Sequence, residues 1–383
     1  MKILWLAPYP NPSLINTHPA PWITKLAQSL AHDSKIDLTI VDFDSTIKQR
    51  IESKKRGEIK FIYLRTPTAR VDKLSFFSLR IFTLKKFINS SLSKFDLIHV
   101  HGTEHQYEQA IININFPSVV SMQGIMTESV KVLSDIFTHQ YFRWKLSSIY
   151  EKRAIPKLDN FICRTTFDTA FVKDNNPTAK IFTNWEMIRD DFFNINTKIC
   201  GNKILFIGGL NKLKGIVEVL KTINILNKTN KFKLIIIGYG NKTELSNIIN
   251  KYGLQNIEQN AIELRGFQDS QGILNAYQEC FCLVHPSYID NSPNSICEAQ
   301  IAGLPVIASA VGGVSNLIND MNTGILTDLE PKNIASKIME LYESQSLKDK
   351  ISSNAKKIAV ERHNPEIILN KTLNIYHEIA THT

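Results

Sequence analysis

Residues 285–303 read His285-Pro-Ser-Tyr-Ile-Asp-Asn-Ser-Pro-Asn-Ser-Ile-Cys-Glu-Ala-Gln-Ile-Ala-Gly303, and this stretch decides the fold more than any other. An apolar run at 280–284 precedes it and predicts a strand. Pro293 before Asn294, with Gly303 at the far end, predicts a short helix. The loop between them therefore lies at the carboxyl end of a strand, where parallel sheets bind their ligands.

A short apolar run followed by a longer helical segment recurs along the chain, in matching order in its two halves. The matched runs are 2–7 with 203–208, 96–100 with 280–284, and 118–121 with 305–308. Alternating strands and helices are typical of a parallel sheet that helices cover on both faces. The repetition therefore predicts an α/β protein with two Rossmann-like, doubly wound domains.

The domain boundary is predicted within Phe182–Asn202, where asparagine, aspartate and lysine become frequent and the apolar periodicity lapses. This gives an N-terminal domain over 1–185 and a C-terminal domain over 186–363. Apolar residues recur at helical spacing through the last segment, 364–383, which therefore predicts a terminal helix.

Length and composition exclude several classes of protein. The chain has 383 residues, and 43% of them are hydrophobic. This length exceeds the roughly 250–300 residues at which a single hydrophobic core stops growing, so two domains are expected. Its apolar stretch 301–314 is interrupted by glycine and proline and is shorter than the roughly 18 continuous apolar residues of a membrane span. The five cysteines lack zinc-ligand spacing, which indicates free thiols and a cytoplasmic location.

The charge balance favours anionic partners. The chain has 45 Lys and Arg against 36 Asp and Glu, a formal net charge of +9. Nucleotides, phospholipid surfaces and nucleic acids all suit this excess. Nucleic acid is disfavoured because the sequence has no helix-turn-helix, zinc-finger or aromatic RNA-binding pattern.

A helix predicted over 77–95 bears on membrane contact. Its core stripe is expected at Phe77, Ile81, Leu84, Ile88, Leu92 and Phe95. Its other face carries Arg80, Lys85, Lys86 and Lys94 beside Phe76 and Phe87. Such a face could rest on an anionic membrane, at the inner side, or on a lipid-linked acceptor. It is also what the solvated face of a packed helix looks like, and this second interpretation is favoured.

Two common phosphate-binding motifs are absent from the sequence. The first strand-to-helix loop, 7–18, has no glycine, and Gly238-Tyr-Gly240 lacks the third glycine of the dehydrogenase fingerprint. The loop 209–215 ends in Lys-Gly rather than Gly-Lys-Ser/Thr, so it is not a Walker loop. NAD-dependent oxidoreductases and P-loop NTPases are therefore disfavoured.

The second half instead places cations and carboxylates after its predicted strands. Lys212 and Lys214 stand where a helix begins, and a helix N-terminus beside an ammonium group binds phosphate well. Glu298 falls within an apolar helix, where an unpaired carboxylate is costly, so it requires a partner. That partner is either a pair of ribose hydroxyls or a neighbouring loop. Asp290 either faces the distal part of the same ligand or starts a turn.

These residues resemble the retaining family 4 glycosyltransferases of the GT-B fold, the glycosyl transferases group 1. The resemblance rests on Asp290 and Glu298 at their spacing, on Gly303-x-Pro305 after them, and on Gly312-Gly313 and Lys214-Gly215. In the second half of the chain the resemblance rests on specific motifs, and in the first half it rests mainly on the order of strands and helices. It implies two domains that face each other across a cleft, with the last helix crossing back to the first domain.

The resemblance implies a nucleoside diphosphate sugar on the C-terminal domain, with no metal and no other cofactor. Lys214 would contact the diphosphate, Glu298 the ribose and Asp290 the transferred sugar, and these three are the expected catalytic residues. The expected donor-binding positions are Gly208, Gly209, Lys212, Lys214, Gly266, Phe267, Asp290, Asn291, Ser292, Asn294, Ser295, Ile296 and Glu298. The acceptor-side candidates in the N-terminal domain are His18, His101, Glu104 and Gln123, of which the two histidines could equally be structural.

Four positions depart from the family's pattern. Asp290 stands where the family generally has Glu, Gly209 where it has Arg, Gln123 where it often has His, and Asn316 where it has an acidic residue. Gln123 cannot act as a general base. Retention is then expected through same-face attack in which the leaving phosphate helps to deprotonate the acceptor.

The leading hypothesis is a cytoplasmic, metal-independent glycosyltransferase. It would move a hexose from a nucleoside diphosphate, such as UDP or GDP, to a hydroxyl of a saccharide or lipid-linked acceptor in surface polysaccharide or glycoconjugate synthesis. Two alternatives stay open. One is a non-catalytic nucleotide-sugar-binding partner of another transferase, and the other is a GT-B-fold nucleotide-sugar epimerase.

Overall fold

The computed structural model describes residues 1–10, 21–195, 197, 201–258 and 260–381, without the side chain of Trp22. The strands of the first sheet are β1 (Lys2–Leu6), β2 (Asp37–Asp44), β3 (Ile51–Arg56), β4 (Ile59–Arg65), β5 (Leu97–His101), β6 (Ser118–Ser121), β7 (Asn160–Cys163) and β8 (Lys180–Thr183). Those of the second sheet are β9 (Lys203–Ile207), β10 (Lys233–Ile237), β11 (Ile262–Leu264), β12 (Cys282–His285), β13 (Val306–Ser309) and β14 (Ile325–Thr327).

Helices follow most of these strands, as expected for stacked βα units. They are α1 (Pro21–Ala31), α2 (Ala69–Leu74), α3 (Ser78–Asn89), α4 (Met126–Ser129), α5 (His139–Ala154), α6 (Thr166–Asn175), α7 (Ile216–Leu226), α8 (Lys242–Lys251), α9 (Ser270–Glu279), α10 (Asn294–Ala302), α11 (Val314–Leu317), α12 (Pro331–Glu343), α13 (Gln345–Arg362) and α14 (Pro365–Thr381). Among the described residues, no helix is long and apolar enough to cross a membrane.

The first sheet has the strand order β3–β4–β2–β1–β5–β6–β7–β8. All neighbours are parallel except β3 and β4, which form an antiparallel hairpin at the edge. The central strand β1 is almost entirely apolar and buried, as expected for a parallel strand that helices cover on both faces. The edge strand β3 carries Lys54 and Lys55, whose charges disfavour pairing with another chain.

The second sheet has the order β11–β10–β9–β12–β13–β14, and all its strands are parallel. Here β9 lies between β10 and β12, just as β1 lies between β2 and β5 in the first sheet. In the same way β13 follows β12 where β6 follows β5. The matched apolar runs thus occupy equivalent places, and the prediction of two Rossmann-like domains is confirmed.

The chain divides into two compact units at Met187 and Ile188, two residues beyond the predicted boundary. The second unit runs through Ile188–Asn364, and the last helix, α14, belongs to the first unit. Tyr376 of α14 fixes this helix to the first sheet: its hydroxyl accepts a hydrogen bond from Trp5 Nε1 at 3.0 Å and lies 2.6 Å from His99 Nδ1.

The helix predicted over 77–95 is shorter, and one of its two faces differs from the prediction. Helix α3 ends at Asn89 and a single 3-10 turn, Leu92–Lys94, follows. Phe87 was expected on the outer face beside the lysines, but it is buried in the core. It lies three positions after Leu84 and next to Ile88, so it shares their face of the helix.

Candidate functional site

The loops that follow β9 and β12 contact each other at the carboxyl edge of the second sheet. Tyr288 N–H donates to the Leu213 carbonyl at 2.9 Å, and Ser287 Oγ donates to the same oxygen at 3.2 Å. Gly215 has φ +84°, and a Cβ there would lie 2.0 Å from the Pro286 carbonyl oxygen. Glycine is therefore required at 215 for the two loops to approach this closely.

This contact brings a cation, a carboxylate and an imidazole together. Lys214 Nζ lies 2.6 Å from Asp290 Oδ2, and His285 Nε2 lies 3.0 Å from the same oxygen. Burial alone would raise the pKa of Asp290, but the charge of Lys214 and the hydrogen bond from His285 outweigh burial and hold that pKa well below its ordinary value. Asp290 is consequently ionised throughout the physiological range, and Lys214 stays beside it.

His285 is a site residue that the sequence analysis missed. Its other ring nitrogen, Nδ1, lies 3.4 Å from Ser295 Oγ, so the imidazole connects Asp290 to the start of α10. The sequence signal was its place as the last residue of β12, five positions before Asp290. Lys212 lies in the same 3-10 turn as Lys214, but its side chain is exposed.

The glycines after β9 permit a second close approach, to the loop after β10. Gly209 has φ +59°, and a Cβ there would lie 2.2 Å from the Tyr239 carbonyl oxygen. The N–H groups of Gly208 and Gly209 both donate to the Ile237 carbonyl, at 3.0 and 2.9 Å. The arginine that the resemblance leads one to expect at 209 therefore cannot fit this backbone, which explains the departure at that position.

Glu298 has a partner within the same unit. Its Oε1 accepts a hydrogen bond from Arg189 Nη2 at 2.8 Å, and Arg189 Nη1 also donates to Ser270 Oγ at 2.8 Å. Burial raises the pKa of Glu298, and Arg189 opposes that rise. Of the two interpretations that the sequence left open, a bond to another part of the chain is present. Arg189 lies just beyond the predicted boundary, in a stretch without periodicity that gave no signal.

Helix α10 begins at Asn294, without a side-chain cap from Pro293. Asn294 Nδ2 is buried and has no hydrogen-bond partner among the described residues. Asn291 and Ser292 are buried beside it. Ile296 is an exception among the predicted donor-binding residues, because its side chain is in the core and its N–H already bonds the Pro293 carbonyl at 3.0 Å.

Two exposed aromatic rings stand at the carboxyl ends of β10 and β11. Phe267 and Tyr239 meet edge to face, with ring centroids 4.1 Å apart, and Tyr239 is 78% exposed. Gly266 has φ +66° with open space around it, and its carbonyl accepts the Gly238 N–H at 2.8 Å. Tyr239 was not among the predicted residues, although its place between two glycines was visible in the sequence.

The acceptor-side candidates that the structure describes lie in the first unit, and His18 falls outside the described residues. His101 is buried, with its ring centroid 4.1 Å from that of Trp5, and burial lowers its pKa well below the ordinary value. Gln123 Oε1 accepts a hydrogen bond from Arg164 Nη2 at 2.5 Å. Their contact with an acceptor stays a prediction.

Glu104 is the remaining candidate. Its Oε1 accepts the Gly124 N–H at 2.7 Å. Burial raises the pKa of Glu104 to about 6, against the effect of that hydrogen bond. A carboxyl group with this pKa exchanges its proton close to neutral pH, which is the property of a general acid or base.

Comparison with known proteins finds similarities to the second unit. Residues 188–358 match the sequence model of the family described as Glycosyl transferases group 1. An uncharacterized glycosyltransferase of Methanocaldococcus jannaschii is 27% identical over 175 residues, covering 45% of this chain and 44% of the relative. The capsular polysaccharide biosynthesis glycosyltransferase CapM of Staphylococcus aureus is 27% identical over 173 residues, again 45% of this chain and 44% of the relative. These matches thus span less than half the length of the two relatives.

The fold of the whole chain also has solved counterparts. A mutant of TarM from S. aureus, in complex with fondaparinux, α-GlcNAc-glycerol and UDP, superposes with a TM-score of 0.73 at 13% identity, covering 98% of this chain and 99% of TarM. Such a likeness shows a shared fold. Residues 188–358 are thus similar to the group 1 glycosyltransferases, and the two Rossmann-like domains have the GT-B fold.

Proposed function

We propose that this chain is a cytoplasmic glycosyltransferase that moves a hexose, with retention, from a nucleoside diphosphate sugar to a hydroxyl of a saccharide or lipid-linked acceptor. The acceptor would belong to a surface polysaccharide or glycoconjugate, as the description of CapM suggests for that relative. The observation that carries the proposal is the Lys214 ammonium 2.6 Å from the ionised Asp290, at the carboxyl edge of a parallel sheet.

The donor would lie along this edge. Lys214 would neutralise the diphosphate together with backbone N–H groups at the start of α10, where the helix dipole favours an anion. The Asn294 side-chain amide, whose nitrogen is buried and has no partner among the described residues, would donate to the same ligand. The base would lie on the exposed rings of Tyr239 and Phe267, and Glu298, held by Arg189, would accept hydrogen bonds from the ribose hydroxyls. The UDP bound to TarM supports a donor of this class.

The proposed reaction needs no basic side chain to take the acceptor proton. The acceptor oxygen bonds to C1 of the hexose on the face from which the diphosphate leaves, while the C1–oxygen bond breaks and its electron pair stays on the phosphate oxygen. The acceptor proton moves to that oxygen. Lys214 stabilises the charge that develops there, and Asp290 orients the sugar, so the protein supplies position and charge. The proposed reaction uses no metal ion and no further cofactor.

A thermal-shift screen tests the proposal. A ligand that binds only the folded state raises the melting temperature, so UDP, GDP, ADP and dTDP and their sugars can be compared without an acceptor. We expect one nucleotide family to raise the melting temperature. Lys214→Met should reduce that shift, whereas Lys350→Met, which removes an exposed cation from α13, should leave it unchanged. No shift with any nucleotide, or an equal shift in Lys214→Met, would contradict the assignment.

One observation supports a second candidate, a non-catalytic nucleotide-sugar-binding partner. Gln123, at the position where the family often has a histidine, is bonded to Arg164 and provides no base. A measurement of hexose transfer distinguishes the transferase from the non-catalytic partner. Transfer of the hexose by the purified chain alone would exclude the non-catalytic role, and donor binding without transfer to any offered acceptor would favour it.

A further inference from the structure

An open apolar groove lies in the first unit between α2, the turn after it, and α5. Its volume is about 840 Å³. Leu74 and Phe76 line one side, and Phe142 and Ile149 line the other, with exposed fractions of 72%, 66%, 63% and 38%. Large apolar side chains grouped on a surface in this way are typical of an interaction site. The groove joins segments about 70 positions apart, so the helix predicted over 77–95 did not reveal it.

The groove carries cations and no carboxylate among its lining residues. Arg70, Lys73, Arg143 and Lys145 all line it and are all exposed. None of the four forms an ion pair with another described residue. The nearby Asp72 is buried, and its carboxylate pairs with Arg80 at 3.4 Å. The groove therefore combines apolar walls with a basic rim, and its charge complements an anionic head group.

A smaller cavity, more polar than the groove, adjoins it. It has a volume of about 300 Å³, and it shares Lys73, Phe77 and Arg143 with the groove. Its remaining walls include Arg80 and two carboxylates, those of Glu104 and Asp72, of which Asp72 is paired with Arg80. Both volumes fall within the roughly 300–1,000 Å³ of ligand sites in proteins. Lys73 and Arg143 thus stand where the apolar groove meets a more polar cavity.

The backbone at the turn is strained in a way that shapes the groove. Phe76 and Phe77 have φ of +50° and +64°, a conformation that large side chains rarely adopt. Their N–H groups donate to the Lys73 and Asp72 carbonyls, both at 2.9 Å. This geometry points Phe77 into the core and leaves Phe76 exposed in the groove. Strain of this kind persists where the surrounding structure or the function requires it.

We infer that the groove and the cavity together bind one anionic amphiphile, a lipid that carries a phosphate. Its apolar chain lies against Phe76 and Phe142, its phosphate lies between Lys73 and Arg143, and its polar head enters the cavity beside Glu104. The inference rests on the proposed function, in which it specifies the acceptor as lipid-linked.

Calorimetric titration with decyl phosphate below its micelle concentration tests this binding. We expect saturable binding of one molecule per chain, about tenfold or more tighter than that of decyl maltoside, which has the same chain and no charge. Inorganic phosphate should bind more weakly still. The double variant Lys73→Gln and Arg143→Gln should lose the preference for decyl phosphate while it still binds decyl maltoside.

Phe76→Gly separates binding from folding. Glycine tolerates the positive φ at 76, so this variant should melt at the same temperature as the wild type or higher, yet bind decyl phosphate about tenfold more weakly. Phe82→Ala is the matched control, since Phe82 is equally exposed on α3 but does not line the groove. Equal affinity in Phe76→Gly and wild type would overturn the inference.

Two further results would also overturn it. One is the absence of saturable binding with monomeric decyl phosphate, even if the chain binds vesicles of phosphatidylglycerol, because the surface would then be a general membrane contact. The other is a preference for decyl maltoside. Neither result affects the nucleotide screen, which depends on residues of the second unit, so failure here is distinguishable from failure of the proposed donor site.

Discussion

Arg189 Nη2 donates to Glu298 Oε1 over 2.8 Å, although 109 positions separate the two residues in the chain. The guanidinium also lies over the ring of Phe192, 4.8 Å from its centroid. The Glu298 carboxylate is thereby fixed in place before any ligand arrives, and a fixed acceptor binds at a lower entropic cost. The pair links the stability of the second unit to the site that we propose for the donor.

Glu298→Ala should therefore destabilise the protein as well as weaken donor binding. It leaves the mostly buried Arg189 without its carboxylate, and breaking a buried ion pair in this way costs about 3–5 kcal/mol. Glu298→Gln keeps an oxygen that accepts from Arg189 and should cost less. Urea unfolding of the two variants measures the difference. Equal stability of Glu298→Ala and wild type would show that the pair contributes nothing to folding.

Asp290→Asn should change the pH dependence of the free energy of unfolding at acidic pH. The pKa of Asp290 is lower in the folded protein than its ordinary value of 3.8, so its ionisation stabilises the fold above about pH 4. That contribution is lost as the pH falls below the ordinary value and through the folded one. The stability difference between wild type and Asp290→Asn should thus be constant from pH 8 to 5 and shrink below pH 4. Unfolding experiments across this range check it, and a constant difference down to pH 3 contradicts it.

Gly209→Ala should cost more stability than Gly266→Ala. Both glycines have positive φ, which costs an L-residue about 1–2 kcal/mol. A Cβ at 209 would in addition overlap the Tyr239 backbone, whereas one at 266 meets open space. Gly209→Arg should likewise destabilise the fold rather than supply a second cation for the diphosphate. Comparing thermal unfolding of the three variants tests this, and a stable Gly209→Arg with tighter nucleotide binding would refute it.

Glu104→Gln should remove a loss of stability that occurs as the pH rises. The pKa of Glu104 is about 6 in the folded protein against an ordinary value of 4.5, so the folded state holds the proton more tightly. Ionisation consequently destabilises the fold as the pH rises from about 4.5 to above 6. Relative to wild type, Glu104→Gln should gain stability over this interval and keep the gain at higher pH. Melting curves of wild type and Glu104→Gln in buffers of increasing pH measure the difference in stability. A difference that does not change with pH would show that ionisation of Glu104 does not destabilise the fold.

Hexose transfer should persist in the presence of EDTA. The proposed donor site neutralises the diphosphate with Lys214 and backbone N–H groups, so turnover by a chelated and dialysed enzyme should match that of the untreated one. Turnover that falls on chelation and returns with added Mg²⁺ or Mn²⁺ would show that a metal takes part. Lys350→Met should behave like the wild type in both conditions.

The sequence was sufficient for the architecture because parallel strands are buried on both faces and read as continuous apolar runs. The runs 2–7 and 203–208 are such strands, and their equivalent positions in the two sheets follow from the order of the runs along the chain. Part of the site was predicted for a similar reason. Asp290 and the start of α10 belong to one βα unit, so their proximity is local, and Pro293 and Gly303 mark the helix in the sequence.

Other features depended on the tertiary structure, because they arise where distant segments meet. Arg189 approaches Glu298 only after the chain has crossed most of the second unit, and nothing in the residues around 189 signals that contact. An arginine is excluded at position 209 because a side chain there would overlap the backbone of the loop after β10. A sequence motif does not show such a steric overlap. The apolar groove between α2 and α5 has the same origin. Sequence periodicity identifies the buried face of one element, but the surface formed between two elements exists only once they have packed.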